Sequence, residues 1–445
     1  MKRLYEDLVY DTSTSIRSWW QASGVEPLQY PRIEGDHKTE VAIIGGGFTG
    51  LNAALQLAEE HGTESTILEA AQPGWGASGR NGGFACLGGT VMSSSAQVKK
   101  FGLEAAKAFA HAQVAAIDRV ADNMARYEID ADTHSDGDLY LAHRASKLKG
   151  MLEEAEFDKR EFGLDFQSLS KSDLASIGAE SPEFHGGVKT KIGFALNPLK
   201  YVTGLTKAAA NAGVKISGDS PVTSVKMQGG EFVLTTPTAT IRAKRVIVAT
   251  NGYSSDDIPP ALDGRFLPIL STIMVTRPIT DAEQAAQGWH SDLMTYDSRH
   301  LLHYFRLMPD GRFLFGQRGA VRATPNATIA AQVANRRDFE RMFPAWRHIE
   351  TSHKWFGLIC MTRNLHQFAG PIPGMPGAFA ALGYHGSGVA MASFSGRALA
   401  DMALGKSHGL PSIMTRPLKR FPFAGFRRVG VQTAYVKYQL QDRFF

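Results

Sequence analysis

The sequence has little cysteine, no long apolar run and a small net charge. Only two cysteines, Cys86 and Cys360, occur in 445 residues, which excludes a disulfide framework and favours a reducing compartment such as the cytoplasm. No run of about 18 apolar residues is present, so the sequence predicts no transmembrane helix. The acidic N-terminus, with Glu6, Asp7 and Asp11, is not typical of a secretory signal. We therefore expect a cytoplasmic protein of two or three domains, or one large composite fold.

The net charge of +5 is unevenly distributed. Seven basic residues and one acid follow position 415, so the rest of the chain is nearly neutral and is not typical of a nucleic-acid surface. The same tail holds seven aromatic residues. Such a segment could lie on an anionic membrane, but we expect a terminal helix that packs on its own protein. Close histidine pairs lack further Cys, His or Asp partners, so no metal site is predicted.

A dinucleotide-binding fingerprint occupies the first part of the chain. The apolar run Val41–Ile44 is typical of a buried parallel strand. Glycines in G-x-G-x-x-G spacing, a helical pattern with small residues and a second strand, Ser65–Leu68, follow it in order. In this motif Gly45 permits the tight turn, Gly47 permits close approach of a pyrophosphate, and Gly50 lets the helix pack close to the strand.

The second strand ends at Glu69, which lies 19 residues beyond Gly50. A carboxylate at this distance is expected to hold the adenosine ribose hydroxyls, and it would repel the 2′-phosphate of NADP. The N-terminus of the intervening helix offers unpaired N–H groups to the phosphates. The fingerprint alone does not separate FAD from NAD.

The stretch GWGASGRNGG, residues 74–83, contains five glycines in ten residues. NAD-binding domains usually continue from the second strand into a helix, whereas this chain enters a glycine-rich loop, which favours FAD. Its glycines would expose backbone N–H groups to phosphates and to the flat flavin ring. Ser78 and Asn81 can add hydrogen bonds, and Arg80 can balance charge.

Two later segments also suggest cofactor contacts. The apolar strand Val246–Ala249 leads into a turn, Thr250–Gly252, where the switch-point rule expects a ligand. Glycines in Gly383–Gly388 precede the helical run Val389–Leu404. A second helix N-terminus would therefore face the cofactor and stabilise negative charge on it.

Together these motifs resemble the D-amino-acid-oxidase-like superfamily of FAD-dependent amine oxidoreductases, and GWGASGRNGG is most similar to its γ-glutamylputrescine oxidase branch. The resemblance runs nearly end to end. It includes SWWQAS at 18–23, VIVATNGY at 246–253, LHYFRLMPDGRFLFGQR at 302–318, ALGYHGSGVAMASFSGRALAD at 381–401 and RFPFAGFRR at 420–428.

The resemblance implies an α/β fold in which a Rossmann-like FAD-binding domain is interleaved with a substrate domain on a mixed or antiparallel sheet. The expected ranges are 1–35 for an N-terminal lead-in, 36–90, 185–255 and 355–410 for the FAD-binding domain, 91–184 and 256–354 for the substrate domain, and 411–445 for the basic aromatic tail. We expect strands near Ser271–Thr276, Leu301–Leu307 and Arg312–Gly316, with a hairpin turn at Pro309–Gly311, and a helix over Leu103–Tyr127.

The implied activity is oxidation of a primary or secondary amine that is polyamine-derived or amino-acid-like. Hydride transfer to flavin N5 would give an imine, which water hydrolyses, and reoxidation by O2 would give hydrogen peroxide. γ-Glutamylputrescine is suggested as substrate by the resemblance alone. The alternatives are an amine or imino-acid dehydrogenase, for example of L-pipecolate, that donates electrons to a quinone or carrier, and a non-catalytic flavin-binding or electron-transfer component. The oligomeric state is left open.

The residues expected to face the substrate are His385, Tyr304, Arg306 and Trp355, with His303 as a further candidate. Strand alternation places Tyr304 and Arg306 on one face and His303 on the other. Arg306 could grip a substrate carboxylate in bidentate fashion. His366 is interpreted as a loop residue. Some relatives attach flavin covalently through a cysteine in this segment, but Cys360 is displaced from that position, so non-covalent FAD is expected.

The expected cofactor contacts come from all these motifs. They are Gly45, Gly47, Phe48, Thr49, Gly50, Glu69, Ala70, Gly76, Ala77, Ser78, Arg80, Asn81, Gly82, Gly83, Val222, Thr250, Asn251, Gly252, Gly383, His385, Gly386, Ser387 and Gly388.

Overall fold

The computed structural model describes residues 1–14 and 16–444. Two eight-stranded sheets carry the fold, and helices pack against both. The strands are β1 (Gly35–Ile44), β2 (Ser65–Leu68), β3 (Phe84–Ala85), β4 (Asp138–Leu141), β5 (Gln167–Ser170), β6 (Gly186–Thr190), β7 (Phe194–Ala195), β8 (Lys215–Ser217), β9 (Ser224–Gln228), β10 (Glu231–Thr235), β11 (Ala239–Val248), β12 (Phe266–Thr276), β13 (Met294–Asp297), β14 (His303–Leu307), β15 (Phe313–Arg318), β16 (Thr351–Thr362), β17 (Phe368–Pro371) and β18 (Ala378–Leu382). The helices are α1 (Trp19–Ala22), α2 (Phe48–Leu55), α3 (Ser94–Phe101), α4 (Leu103–Arg126), α5 (Ala145–Phe162), α6 (Lys171–Ser176), α7 (Pro198–Asn211), α8 (Asp281–Gln287), α9 (Pro325–Met342), α10 (Gly388–Ala403) and α11 (Arg427–Phe444).

The first sheet has the strand order β17-β18-β11-β1-β2-β8. Its five strands from β18 to β8 run parallel, and β9 and β10 extend it as an antiparallel hairpin on β11. The central strand β1 is buried on both faces. Val41 and Ile43 pack against α2, α4, α7 and α10, while Ala42 and Ile44 belong to a separate core on the other face. Two-sided burial explains the uninterrupted apolar run in the sequence and confirms the Rossmann-like prediction.

The second sheet has the order β16-β12-β15-β14-β13-β4-β6-β5. It is mixed, because β13 and β4 run parallel while the other neighbours run antiparallel. One face carries an aromatic core in which Phe305, Phe313 and Phe315 pack against Phe339 and Trp346. The opposite face is turned towards the cavity described below. The α/β class with a mixed second sheet is thereby confirmed.

Most of the predicted elements lie within a few residues of their expected bounds. Ser65–Leu68 is β2 as predicted, and the helix predicted from Leu103 ends at Arg126. The hairpin strands are displaced from their expected bounds, because β14 begins at His303 and β15 ends at Arg318. Sheet membership differs from the expected ranges at two strands, because β6 and all of β16 belong to the second sheet. The division into domains stays a prediction, and the sheets favour boundaries after β6 and after β16.

Replacing Gly50 by alanine should lower the free energy of unfolding. A Cβ at Gly50 would lie 2.0 Å from the carbonyl oxygen of Gly45, so α2 would have to move off the turn. Overpacking of this kind lowers stability by about 1–3 kcal/mol. Gly150, inside α5, is the matched control, because a Cβ there meets nothing within 4 Å. Gly150→Ala should raise stability by about 0.5–1 kcal/mol. Denaturant unfolding of both variants measures the difference, and equal effects would contradict the close-packing argument.

Candidate active site

A cavity of about 1670 Å³ lies between the two sheets. Ile44, Leu68 and Ala249 line it, so it opens at the carboxyl ends of β1, β2 and β11, where the switch-point rule places ligands. Tyr304 and Arg318 line it from the second sheet. Pockets for drug-sized ligands enclose roughly 300–1,000 Å³. This cavity therefore has room for a large cofactor together with a substrate.

The turn before α2 is built from close backbone contacts. Gly45 has φ of +108°, and a Cβ there would lie 3.0 Å from the carbonyl oxygen of Ala249. The Ser78 Oγ accepts a hydrogen bond from the Phe48 N–H at 3.0 Å, and a Cβ at Gly47 would lie 2.6 Å from that oxygen. Ser78 therefore caps the first turn of α2 from a separate loop and keeps its N-terminus at the cavity.

Glu69 closes the other side of this turn. Its Oε2 accepts a hydrogen bond from the Gly46 N–H at 2.7 Å, and its Oε1 accepts one from the Ala71 N–H at 3.0 Å. Burial raises the pKa of Glu69. Glu69 also lines the cavity, so the predicted contact with a ribose stays compatible with its position.

The glycine-rich loop, residues 74–83, is held between the two sheets by indole groups. The Trp20 Nε1 donates to the Asn81 carbonyl at 2.9 Å, and the Trp355 Nε1 donates to the Arg80 carbonyl at 2.8 Å. Within the loop, the Asn81 Nδ2 donates to the carbonyls of Ala77 and Ser78 at 3.0 and 2.9 Å. The Asn81 side chain therefore shapes the loop, and because Asn81 also lines the cavity, its contact with the cofactor stays a prediction.

Arg80 is the buried cation of this loop. Its Nε donates to the Trp75 carbonyl at 2.7 Å, and its guanidinium lies 4.0 Å from the Trp75 ring centroid. Its Nη2 and the Trp75 Nε1 are buried and have no hydrogen-bond partner among the described residues. Both residues line the cavity. Buried donors without partners destabilise a protein, so these two fit a negatively charged ligand such as the phosphates of FAD.

Most of the expected cofactor contacts line the cavity, and four do not. Added Cβ atoms show why. They would lie 2.0 Å from the Gly45 oxygen for Gly50, 1.9 Å from the Leu196 oxygen for Gly83, 3.0 Å from the Ile359 oxygen for Gly252 and 2.2 Å from the Thr362 Cγ2 for Gly383. These four glycines pack protein against protein. Close packing is therefore a role of each, and their contact with the cofactor stays a prediction.

His385 and Tyr304 line the cavity as expected. The Tyr304 hydroxyl is hydrogen-bonded to the Ser271 Oγ at 2.9 Å. The His385 Nε2 accepts from the Thr362 N–H at 3.4 Å, and its Nδ1 is buried without a partner in the described ranges. Burial and the charge of Arg318 lower the pKa of His385 to about 3, so its imidazole is neutral at physiological pH.

Arg306, Trp355 and His303 do not line the cavity, which corrects their expected substrate contact. Arg306 lies on the predicted face, but the loop covers it, and it donates to the Leu196 carbonyl and the His134 Nε2 at 2.8 Å each. Trp355 supports the loop. On the other face, His303 pairs with Asp297 at 2.8 Å. Burial opposes the charge of His303, but Asp297 raises its pKa to about 9.

Cys360 and His366 lie in and after β16, in the segment where a covalent flavin link was considered. His366 is buried, and its Nδ1 is 2.9 Å from the Gln367 carbonyl oxygen. It does not line the cavity. Cys360 does line it as a free thiol, and burial raises the pKa of that thiol to about 12. A thiol held neutral is a weak nucleophile, which supports the prediction of non-covalent FAD.

Arg318, at the end of β15, is the arginine that sequence reasoning missed. Its Nη2 donates to the His385 carbonyl at 3.2 Å, and it forms no ion pair with a carboxylate of the described chain. Burial lowers the pKa of its guanidinium. The signal was present in the hairpin register, because Tyr304 pairs with Gly316 and side chains two residues apart share a face.

Helix α11 covers the mouth of the cavity. Tyr435 and Tyr438 line it, and the Tyr438 ring stacks on His300 with centroids 4.9 Å apart. The Asp442 carboxylate accepts hydrogen bonds from the N–H groups of His300 and Leu301 at 2.9 and 3.1 Å. The predicted packing of the tail on its own protein is thereby confirmed up to residue 444. Phe445 lies outside the described residues.

Membrane-spanning helices and metal clusters are both absent from residues 1–14 and 16–444. No helix there is long and apolar enough to cross a membrane. No group of three or more His, Cys, Asp or Glu side chains there could hold a metal ion.

Comparison with known proteins gives one family and several relatives. The family described as FAD dependent oxidoreductase (DAO) matches residues 40–402. The chain is 32% identical over 435 residues to a probable oxidoreductase OrdL of Rhizobium meliloti (strain 1021), covering 96% of this chain and 97% of the relative. It is 26% identical over 435 residues to gamma-glutamylputrescine oxidoreductase of Escherichia coli (strain K12), covering 96% and 98%. Its fold resembles glycine oxidase from Geobacillus kaustophilus, with a TM-score of 0.69, 20% identity and coverage of 87% and 100%.

Replacing Arg80 by methionine should weaken FAD binding by roughly 10- to 100-fold, the range expected for one charge-assisted hydrogen bond. The reason is that the unpartnered Nη2 of Arg80 loses its anionic ligand. Titration of the FAD-free protein by flavin fluorescence measures the dissociation constant. Arg119→Met, which removes a half-buried arginine that is paired with Asp122 and does not line the cavity, should leave it unchanged. An unchanged constant in the Arg80 variant would show that the loop does not bind phosphate through this residue.

Proposed function

Because the chain belongs to the DAO family of FAD-dependent oxidoreductases, we propose that it oxidises an amine and passes the electrons to molecular oxygen, which yields hydrogen peroxide. The observation that carries this proposal is Arg318, a half-buried cation without a carboxylate partner in the described chain that faces the cavity beside His385. The full-length similarity to a gamma-glutamylputrescine oxidoreductase supports an amine of the polyamine-derived or amino-acid-like class. γ-Glutamylputrescine is the preferred candidate within that class.

The FAD would be held by the N-terminus of α2, Glu69, the loop 74–83 and the segment before α10. When bound, it supplies the acceptor for a hydride from the carbon beside the amine nitrogen. We propose that it is held without a covalent bond, since burial raises the pKa of Cys360 and a neutral thiol is a weak nucleophile. Two free cysteines also support a location in the cytoplasm.

The residues of the chain prepare the amine. An amine must be neutral for its lone pair to assist hydride departure, and a neighbouring positive charge together with burial lowers its pKa. Arg318 provides that charge, and it can bind a substrate carboxylate in bidentate fashion. His385 is neutral, and because its Nε2 accepts from Thr362, its proton lies on Nδ1. His385 therefore acts as a hydrogen-bond donor that orients a ligand, while Tyr304 and helix α11 exclude water.

A dehydrogenase that donates electrons to a membrane quinone is the second candidate, and one observation favours it. Apolar side chains on and before α11 are exposed, and the first three also border the cavity, namely Phe423, Phe426, Val429, Val436 and Leu440. Such a stripe in a basic segment can contact a membrane surface. This reading retains the amine chemistry and changes only the acceptor.

Anaerobic titration of the flavin with a panel of amines and N-substituted amino acids tests the proposed function. We expect one class to bleach the flavin absorbance, and admission of air to restore it within seconds with release of peroxide. Bleaching that air restores slowly and a soluble quinone restores quickly would support the dehydrogenase instead. A flavin that no amine reduces would overturn the amine chemistry.

Replacing Arg318 by methionine should raise KM for a carboxylate-bearing amine by roughly 10- to 100-fold, as expected for loss of a charge-assisted pair. It should also move the acidic limb of the kcat profile to higher pH, because the bound amine loses the neighbouring charge that lowers its pKa. Steady-state kinetics across pH 6–10 measure both, with Arg322→Met as the control, since Arg322 is exposed. An unchanged KM and pH profile would remove Arg318 from the substrate site.

A further inference from the structure

The cavity extends beyond the cofactor-binding motifs into a lobe between the second sheet and α5. Asp138 and Tyr140 of β4 and Tyr296 of β13 line its floor, and Met151 and Asp158 of α5 line its opposite wall. The Tyr140 and Tyr296 rings are stacked, with centroids 4.9 Å apart. None of these residues belongs to the motifs that bind the dinucleotide.

Asp138 is an acid without a partner in this lobe. Its side chain is 3% exposed, its Oδ2 has no hydrogen-bond partner, and no cation of the described chain pairs with it. Burial alone raises the pKa of Asp138 to about 8. Its neighbours Cys86 and Tyr296 are neutral, because burial raises the pKa of each, so neither supplies a charge that could pair with Asp138. Without a nearby cation the acid is therefore mostly protonated at neutral pH, and a positive charge beside it would favour its ionised form. A buried acid that lacks a partner and lines a cavity points to a cationic ligand.

The lobe is continuous with the flavin end of the cavity. Cys86 lines the same cavity as Asp138 and as Ser387 in the segment before α10, and both residues lie close enough to Cys86 to affect the pKa of its thiol. A second carboxylate, Asp158, lines the lobe, and its Oδ1 is also buried without a partner among the described residues. Glu154 is bonded to the N–H of Ser95 at 3.2 Å. Lys147 and Arg299 also line the cavity, and Arg299 is paired with Asp297 and Glu183.

We propose that Asp138 binds a second, cationic amino group of an extended substrate, so that the preferred amines are diamines or polyamine derivatives. This inference rests on the proposed function, because it describes the distal end of the molecule whose near end is oxidised. The reacting amine lies by Arg318 and must be neutral, whereas the distal amine lies by Asp138 and stays charged. The stacked tyrosines provide an aromatic surface that suits an alkylammonium chain.

Calorimetric titration of the FAD-containing enzyme with putrescine and butylamine tests the proposal. The two probes have equal chain length and differ by one ammonium group. We expect the wild type to bind putrescine at least about 10-fold more tightly, and Asp138→Asn to abolish that preference by weakening putrescine binding roughly 10- to 100-fold. Asp136→Asn is the matched control, since Asp136 is exposed two residues away, and it should keep the preference.

Thermal stability separates a ligand-binding role of Asp138 from a structural one. If Asp138 serves only to bind a ligand, the Asp138→Asn variant loses no contact within the protein, so its thermal midpoint and FAD content should equal or exceed those of the wild type. A lower midpoint with unchanged amine preference would make Asp138 structural and overturn the proposal. Equal binding of putrescine and butylamine by the wild type, or no binding of putrescine, would overturn it as well.

The anaerobic flavin titration separates this proposal from the proposed function. If Asp138→Asn loses the preference for putrescine but no amine bleaches the flavin, the cation site stands and the amine oxidation fails. If an amine bleaches the flavin and the preference survives in Asp138→Asn, the amine oxidation stands and the cation site fails.

Discussion

Backbone packed directly on backbone at the carboxyl end of the first sheet positions everything around the cavity. Gly50 brings α2 onto the turn at Gly45, and Gly396 brings α10 onto α2, since a Cβ there would lie 2.3 Å from the Thr49 carbonyl oxygen. Because no side chain separates these elements, the N-terminus of α2 and the segment before α10 open into one cavity. The N-terminal residues of both helices line this cavity, and a helix N-terminus favours negative charge near it.

The glycines of the loop 74–83 have two different physical reasons, and one of them is the same close packing of backbone on backbone. Gly79 and Gly83 have no room for a side chain, because carbonyl oxygens of Gly74 and Leu196 lie within 2.3 and 1.9 Å of an added Cβ. Gly76 and Gly82 instead line the cavity. Some glycines of the loop thus permit internal packing, and others leave access for a ligand. Trp20 and Trp355 then fix the loop by bonding consecutive carbonyls.

The cavity keeps opposite charges unpaired in different places. Arg80 is a buried cation and Arg318 a half-buried one, both without carboxylate partners in the described chain, and Asp138 is a buried acid without a cation. Folding alone would favour pairing or replacing such groups, because each lowers stability when buried alone. Their separation suits a bound anionic cofactor and an elongated substrate that carries charge at a distance from the oxidised carbon. The stability lost at these positions is returned when those ligands bind.

Much of the fold and the cofactor class could be predicted from the sequence. The G-x-G-x-x-G turn, the strand ending at Glu69 and the loop 74–83 are local features, and close backbone approach leaves glycines at regular spacing that a reader can recognise. The hairpin around Pro309–Gly311 was equally local, and its pairing of Tyr304 with Gly316 contained the signal for Arg318. The cavity residues outside the cofactor-binding motifs were harder to predict from the sequence, because they come from separate segments of the chain.

By itself, then, the sequence determined the dinucleotide fold, the FAD cofactor and the family, since each depends on residues that are neighbours along the chain. Tertiary structure decided which side chains meet the ligand. Strand alternation specifies the face of Arg306 but not the loop that covers it. The sequence likewise does not show that the Asn81 side chain donates hydrogen bonds to carbonyls of its own loop. Whether Asp138 has a partner depends on elements up to about 250 residues away, because burial and pairing arise only when distant segments pack together.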